Sequence, residues 1–383
     1  MARVGSTVEY KEGVDSLPEE KAPKRCECGT SLKHIESEQE AYHQEVNIEF
    51  KVLRTNKHIR SLSCPCCGKK NLYSKYLQSP VPVKYGASVE LLVMMLVNQM
   101  KVSHQQAREF LEYYFDLKNV NITNLINRST KELLRSYQKL GTFVYEQPLL
   151  YLDETGCKIS GKNHYVHAIC SDYLTHLMVH KSRGEEALKY NTPKLLDYAN
   201  RIMSDCYALY KKMKGRRYLC NAHILRELEF GIEQGFRWCK EFKDELIGEY
   251  RYREEYEVAE GDKEDPKNTK REKDRGKIGQ TKTRNLLERL LDRLQDVLGF
   301  ADPSSEIAIP FTNNEAERCL RHVKGKMKQA GCWRSLKGAI NYTVHHSIFS
   351  TIKKSGLPLF ETASALLSGK TLVFSSDRAI CVE

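Results

Sequence analysis

The stretch that most constrains this chain is 148–220, where short apolar runs alternate with turns and short helical segments. "PLLYLDETG", "KNHYVHAICSD" and "LTHLMVH" each read as a β-strand, the last two joined by a turn at Asp172-Tyr173. "EEALKYNTPKLLDYAN" looks helical at its end, "RIMSDC" is a further short strand, and "YALYKKMK" a helix. "RRYLCNAHILRELEFGIEQG" reads as a strand running into a helix. Three antiparallel strands followed by alternating helix and strand predict a mixed α/β sheet.

The first of these strands ends in acid, and so does "RIMSDC". Side chains alternate along a strand, so Tyr151 and Asp153 share one face and Leu152 takes the other. Asp153 and Asp205 are then carboxylates at two strand ends of one sheet, where ligand sites of open α/β sheets lie. A terminal Asp is also a common turn or cap residue.

A third acid comes from "FTNNEAERCLRHVKGKMKQAGCWRS", Phe311 to Ser335. Asn313 or Asn314 is a good N-cap, and Glu315 and Glu317 fall in the first turn, where the helix dipole favours negative charge. The dipole accounts well for one glutamate. It accounts less well for two, because residues two apart face different sides of a helix. Glu315 fits the capping acid, and Glu317 can face the sheet. Three carboxylates from two strands and a helix suit a pair of hard divalent ions such as Mg²⁺, about 3.5–4 Å apart, as used in phosphoryl transfer. Arg318, Arg321, Lys324, Lys326 and Lys328 follow on the same helix and offer a basic surface for a phosphate backbone. Formal net charge is +11 at pH 7, which favours an acidic partner, nucleic acid above all.

Thirteen cysteines is a high count, and Cys26, Cys28, Cys64, Cys66 and Cys67 cluster early. An odd total with clustered pairs points to metal rather than to disulfides. "CPCCG" sets Cys64 and Cys67 at zinc-knuckle spacing, and "RCECG" offers Cys26 and Cys28 one residue closer than a knuckle usually has. The expectation is a structural Zn²⁺ held by Cys26, Cys28, Cys64 and Cys67, with Cys66 and His34 as substitutes.

The remaining texture divides the chain. Residues 1–24 read as a polar flexible tail, 25–82 as the zinc-binding module with a β-like middle in "EVNIEFKVLR", and 83–145 as three helices. Ser103 is placed to cap "HQQAREFLEYYF", and Ile122, Leu125, Ile126, Leu133 and Leu134 form the buried side of the third helix. These helices resemble a helix-turn-helix DNA-binding unit, and an ordinary three-helix packing unit fits the same pattern. Residues 146–235 hold the sheet and 236–302 an all-helical insertion with a heavily charged middle. Residues 303–370 carry the acid-headed helix and complete the sheet domain, and 371–383 read as a C-terminal tail. No apolar run is long enough to span a membrane, and the first twenty residues lack the apolar core of a signal peptide. A cytoplasmic protein is expected.

"LDETG…KNHYVHAICSDYLTHLMVHKSRG", "SDCYALY", "YLCNAHILREL" and "FTNNEAERCLRHVKGKMKQAGCWRS" together, in this order, resemble the insertion-sequence-66 family of bacterial transposases. The resemblance covers roughly 25–369. It implies a DDE transposase with an RNase H-like catalytic domain. By the family pattern the catalytic acids, which hold two Mg²⁺ (or Mn²⁺) ions, fall on Asp153, Asp205 and Glu317, while Glu315 occupies a position that need not be acidic. "CNAHILREL" belongs to the same pattern, with Cys220 and His223 as auxiliary candidates: His223 to orient the glutamate or touch DNA, Cys220 to be buried, or both to be structural. Trp333 and Arg334 either stack on and clamp DNA or pack the last helix on the sheet. The implied activity is cleavage at the element's terminal inverted repeats followed by strand transfer into double-stranded target DNA. A homodimer or larger assembly, accessory proteins of the element and a nucleoid-associated location go with it. A decayed or domesticated DNA-binding protein, and an RNase H-like nuclease without strand transfer, are the alternatives.

Overall fold

Strands β1 (Leu149–Ile159), β2 (Lys162–Cys170), β3 (Thr175–His180), β4 (Arg201–Ser204) and β5 (Arg216–Leu219) form one sheet of order β3-β2-β1-β4-β5. β1, β4 and β5 run parallel, and β2 and β3 are antiparallel to their neighbours. The mixed sheet is the one expected. This computed structural model describes residues 24–32, 51–56, 63–69, 83–191, 195–255, 282–302, 305–375 and 380–383. The chain divides into two units, Met1–His58 and Ile59–Glu383, and the sheet lies in the second.

β1 does not stop at its acid. It runs six residues past Asp153, because β2 folds back along its whole length, from Tyr151↔Cys170 to Ile159↔Lys162. The connection is only Ser160-Gly161, with φ of 47° and 78°. Two successive positive φ values make the tight hairpin turn whose twist matches the strands, which a glycine admits freely. The parallel partner β4 does stop earlier, its last pair being Leu152↔Ser204. Asp153 therefore sits just past the end of the parallel ladder while still inside a strand.

The sheet separates two apolar cores. Leu149, Tyr151, Cys157 and Ile159 of β1 pack with Ala316, Leu320 and Val323 of α9 (Asn314–Ala330) and with Trp333 and Tyr342. Leu150 and Leu152, on the other face, share a core with α1 (Ala87–Met94), α2 (His104–Phe115), α3 (Ile122–Phe143) and α10 (Leu336–Lys354). The 83–145 helices thus bury their apolar faces in the core of the sheet instead of forming one of their own. Ser103 caps α2 as expected, in a capping box with Gln106. On α3 the buried stripe is Ile122, Leu125, Ile126, Ser129, Leu133, Ser136 and Leu140. Leu134 is exposed, one position off that stripe.

Both sheet edges are covered. On β3 the backbone amides of Leu177 and Thr175 donate to Ser347 Oγ (2.9 Å) and Thr351 Oγ1 (3.1 Å) of α10. Those hydroxyls satisfy an edge that would otherwise be an open pairing template. Beside β5 lie α5 (Asn221–Glu233), α6 (Arg237–Glu255), α7 (Lys282–Asp292) and α8 (Leu294–Val297), with Leu219, Ile224, Leu228, Leu286 and Leu290 in a third core. "NLLERLLDRLQDVLGF" is not one continuous helix: it breaks at Arg293, which is buried and ion-paired with Asp296 at 2.9 Å. The most charged part of this insertion, 256–281, lies outside the described residues.

Three smaller expectations also change. α4 (Glu185–Asn191) occupies the start of its segment rather than its end. "YALYKKMK" forms only a 3₁₀ turn, Ala208–Lys212. The last residues are not wholly a tail, since β6 (Leu372–Phe374) pairs with β7 (Ile380–Val382), following α11 (Leu359–Leu367). Among the described residues no helix is long and apolar enough to cross a membrane. The tail 1–23, His34 and most of the β-like middle lie outside the described residues, and 51–56 form no strand.

Candidate active site

The C-terminal ends of β4 and β5 lie beside the middle of β1, where the parallel ladder stops. Asp153 follows the last β1–β4 pair, Asp205 follows β4, and Cys220 follows β5, its amide donating to the Ser204 carbonyl at 2.9 Å. Asp205 Oδ1 accepts from the Tyr207 amide at 2.9 Å, so the turn after β4 fixes its carboxylate. Asp153 Oδ1 accepts from the Glu154 amide at 2.8 Å. Burial first, then the charges of Glu154 and Asp205, push the Asp153 acid up to about 7, against the pull of the Glu154 amide and of Lys324.

Glu154 itself points to the other face. Its carboxylate takes Arg183 Nε at 2.7 Å and the Tyr210 hydroxyl at 2.5 Å, and is fully engaged there. Nothing in the sequence distinguished "DE" as one open acid and one satisfied acid except strand alternation.

Asn313 brings the third acid to this edge. It is buried and stands at the N-cap position of α9, but its side chain makes no capping bond. Its Nδ2 donates instead to the Leu152 carbonyl at 2.8 Å, and its backbone amide to Cys220 Sγ at 3.1 Å. One residue therefore fastens the head of α9 to the ends of β1 and β5. The sequence singled out Asn313 only as a cap.

From that anchor the two glutamates diverge. At 100° per residue they flank the buried Ala316–Leu320–Val323 face on opposite sides. Glu315 is ion-paired with Lys354 (3.0 Å) and Arg318 (3.1 Å). Glu317 turns towards α5, where His223 Nδ1 (3.7 Å) and Arg226 (3.8 Å) are its nearest ionic neighbours. Glu317 Oε1 is buried and has no hydrogen-bond partner among the described residues.

The family model for the IS66 transposases matches residues 85–341, about two thirds of the chain. The chain belongs to the IS66 transposase family. No curated protein matches it.

The matched region of this IS66 transposase includes the basic stretch of α9. Arg318, Arg321, Lys324 and Lys328 are exposed, and Arg321, Lys324 and Lys328 lie on the same flank as Glu317, at spacings of four, seven and eleven residues. Lys326 leaves this group: it is half-buried and donates to the carbonyls of Val97 and Lys101, at 3.4 Å each. Trp333 also leaves it. The ring is buried against Tyr342, and its backbone pairs with Lys158 and Ser160 of the β1 hairpin. A ring held there is packing, not a platform for bases. Arg334 beside it is exposed.

The early cysteines of the transposase sit on two hydrogen-bonded turns. In one, the Cys26 amide donates to Thr30 and the Gly29 amide to Cys26; in the other, the Cys64 amide donates to Lys69 and the Gly68 amide to Cys64. Gly29 and Gly68 both have positive φ, 90° and 70°, which is why glycine follows each cysteine pair. The missing residue between Cys26 and Cys28 makes the first turn one residue tighter. The Thr30 hydroxyl, 3.2 Å from Cys28 Sγ, is the main cause lowering that thiol to about 7.

Proposed function

We propose that this IS66 transposase cuts DNA at the terminal repeats of its element and joins the freed ends to target DNA, using Asp153, Asp205 and Glu317 as its DDE carboxylates. The observation that carries this reading is the Glu317 oxygen with no hydrogen bond, on a helix pinned by Asn313 to strand β1 next to Asp153. Glu154 and Glu315 are engaged in closer ion pairs than the 3.7–3.8 Å contacts of Glu317 with His223 and Arg226. The five-stranded mixed sheet is compatible with the RNase H-like catalytic domain that the family resemblance implies.

The donor set is oxygen-rich and partly buried, as suits Mg²⁺, with Lys324 and Arg226 as its cationic neighbours, and the three carboxylates do not all lie within 4.8 Å of one another. Asp153, Asp205 and Glu317 would hold it. When bound, such an ion pair supplies a nucleophile at neutral pH and stabilises the charge on the reacting phosphate. The chain's own contribution is positioning. The Tyr207 amide orients Asp205, the Glu154 amide orients Asp153, and Asn313 sets the height of Glu317 over the sheet. Arg318, Arg321, Lys324, Lys328 and Arg334 offer the phosphate backbone an exposed path leading to the acids. Each cysteine turn carries a thiol pair, a half-set for the structural Zn²⁺ expected from the sequence. Two element ends require two such sites, so the working form in this reading is a dimer or larger assembly, in the cytoplasm and on the nucleoid.

The test is to incubate the protein with a labelled element end, Mg²⁺ and a supercoiled target. Joined products are expected. Cleavage without joining would reduce the reading to a nuclease, and binding without cleavage to a decayed DNA-binding protein.

A further inference from the structure

Beside Glu317 stand two side chains that the proposed reaction gives no chemical role, although Cys220 Sγ accepts the Asn313 amide. Cys220 stands at the N-cap of α5 and His223 in its first turn. Their Sγ and ring nitrogen, with a Glu317 carboxylate oxygen, all lie within 4.8 Å of one another. His223 Nδ1 and Glu317 Oε1 are 3.7 Å apart, and both are buried without a hydrogen-bond partner among the described residues. A buried polar atom left unpaired is destabilising. Two such atoms facing a common point, with a sulfur as the third corner, suit an occupant that accepts electron pairs.

The donor chemistry narrows that occupant. Mg²⁺ takes oxygen ligands and disfavours sulfur. A thiolate, an imidazole and a carboxylate form the mixed set that Zn²⁺ takes at three-ligand sites with one position open. Burial holds the Cys220 thiol above its ordinary value, against the backbone amides of Asn313, His223 and Ala222, so the ion itself has to displace the proton. Binding would release the thiol proton to solvent.

We propose that Cys220, His223 and Glu317 form a site for a thiophilic divalent ion of the Zn²⁺ kind, and that an ion held there withdraws Glu317 from the Asp153–Asp205 set. The binding stands on the geometry of the three residues. The withdrawal rests on the assignment of Glu317 to the reaction.

Cobalt serves as the probe. The full-length protein, stripped of metal, is titrated with Co²⁺ and compared with Cys220→Ser and His223→Asn, each checked for its fold by circular dichroism. Cobalt bound by the early cysteines would be common to all three proteins, so the difference is what counts. Wild type should bind one equivalent more than Cys220→Ser and lose a thiolate-to-cobalt charge-transfer band in that variant. His223→Asn, which keeps every thiol, should bind that equivalent about tenfold or more weakly. Equal stoichiometry, affinity and spectra in the three proteins would overturn the site.

The second arm adds Zn²⁺ to Mg²⁺-dependent end cleavage, each protein being compared with its own zinc-free rate. Wild type should be inhibited at zinc levels that leave His223→Asn at its own rate. Equal inhibition of both would overturn the withdrawal. If Glu317→Gln cleaves like wild type, the assignment of Glu317 fails, and the cobalt result is judged separately.

Discussion

At the residue scale, the site depends on which acids are engaged and which are open. Glu315 and Glu317 are two positions apart and have the same side chain, yet one is tied closely to Lys354 and the other has a buried oxygen with no hydrogen bond, only His223 and Arg226 at 3.7 and 3.8 Å. Glu315→Gln should cost about 1–3 kcal/mol in urea unfolding, because it leaves the largely buried Lys354 without its ionic partner. Asp153 behaves in the opposite way. Its folded-state value of about 7 lies above the ordinary 3.8, so the folded protein holds a proton that the unfolded chain has lost. In metal-free protein this makes stability fall as pH rises from about 4 to 7, and stay lower above. Asp153→Asn should remove that slope and raise the melting midpoint at pH 8 by about 2–4 °C, with no gain at pH 4, measured by thermal denaturation in EDTA. The separation of these acids was only half legible in the sequence. Spacing on a helix predicts that Glu315 and Glu317 face different sides. Only the fold shows that Lys354, far along the chain, takes one of them.

At the element scale, α9 is the part that joins chemistry to fold. Its basic flank and its acid head were legible, because helical periodicity fixes which residues share a side. Its anchoring was not legible, since an asparagine before a helix reads as a cap, and the Asn313 bond to Leu152 spans more than a hundred residues. Asn313→Ala should lower stability by about 1–3 kcal/mol and slow cleavage while leaving DNA affinity within a few-fold, a split read by comparing binding with single-turnover rates. The basic residues divide in the same way. Arg321→Ala and Lys328→Ala should each weaken DNA binding evenly across sequences and reduce the salt slope by about one. Lys326→Ala should leave that slope unchanged, because Lys326 is spent on the Val97 and Lys101 carbonyls. Strand β1 gives the same lesson. "ETG" conceals its continuation by being polar, and the Ser160-Gly161 hairpin turn is what extends it.

At the scale of the whole molecule, the helices of 83–145 and those after α9 meet on one face of the sheet, with α9 on the other. The mixed sheet and the helical segments before and after it were readable from local pattern, but the strand order was not. The shared core was not, because apolar stripes on α1 and α3 do not say which partner they face. Among the described residues, the ends of β4 and β5 beside the middle of β1 carry Asp153, Asp205 and the anchored, acid-headed end of α9. The most direct measurement on the central assignment is Mg²⁺-dependent cleavage of an element end by Glu317→Gln and Glu315→Gln side by side. Glu317→Gln should lose about a thousandfold or more in rate while still binding the end, with Glu315→Gln within about threefold of wild type. An active Glu317→Gln beside an inactive, folded Glu315→Gln would contradict the account.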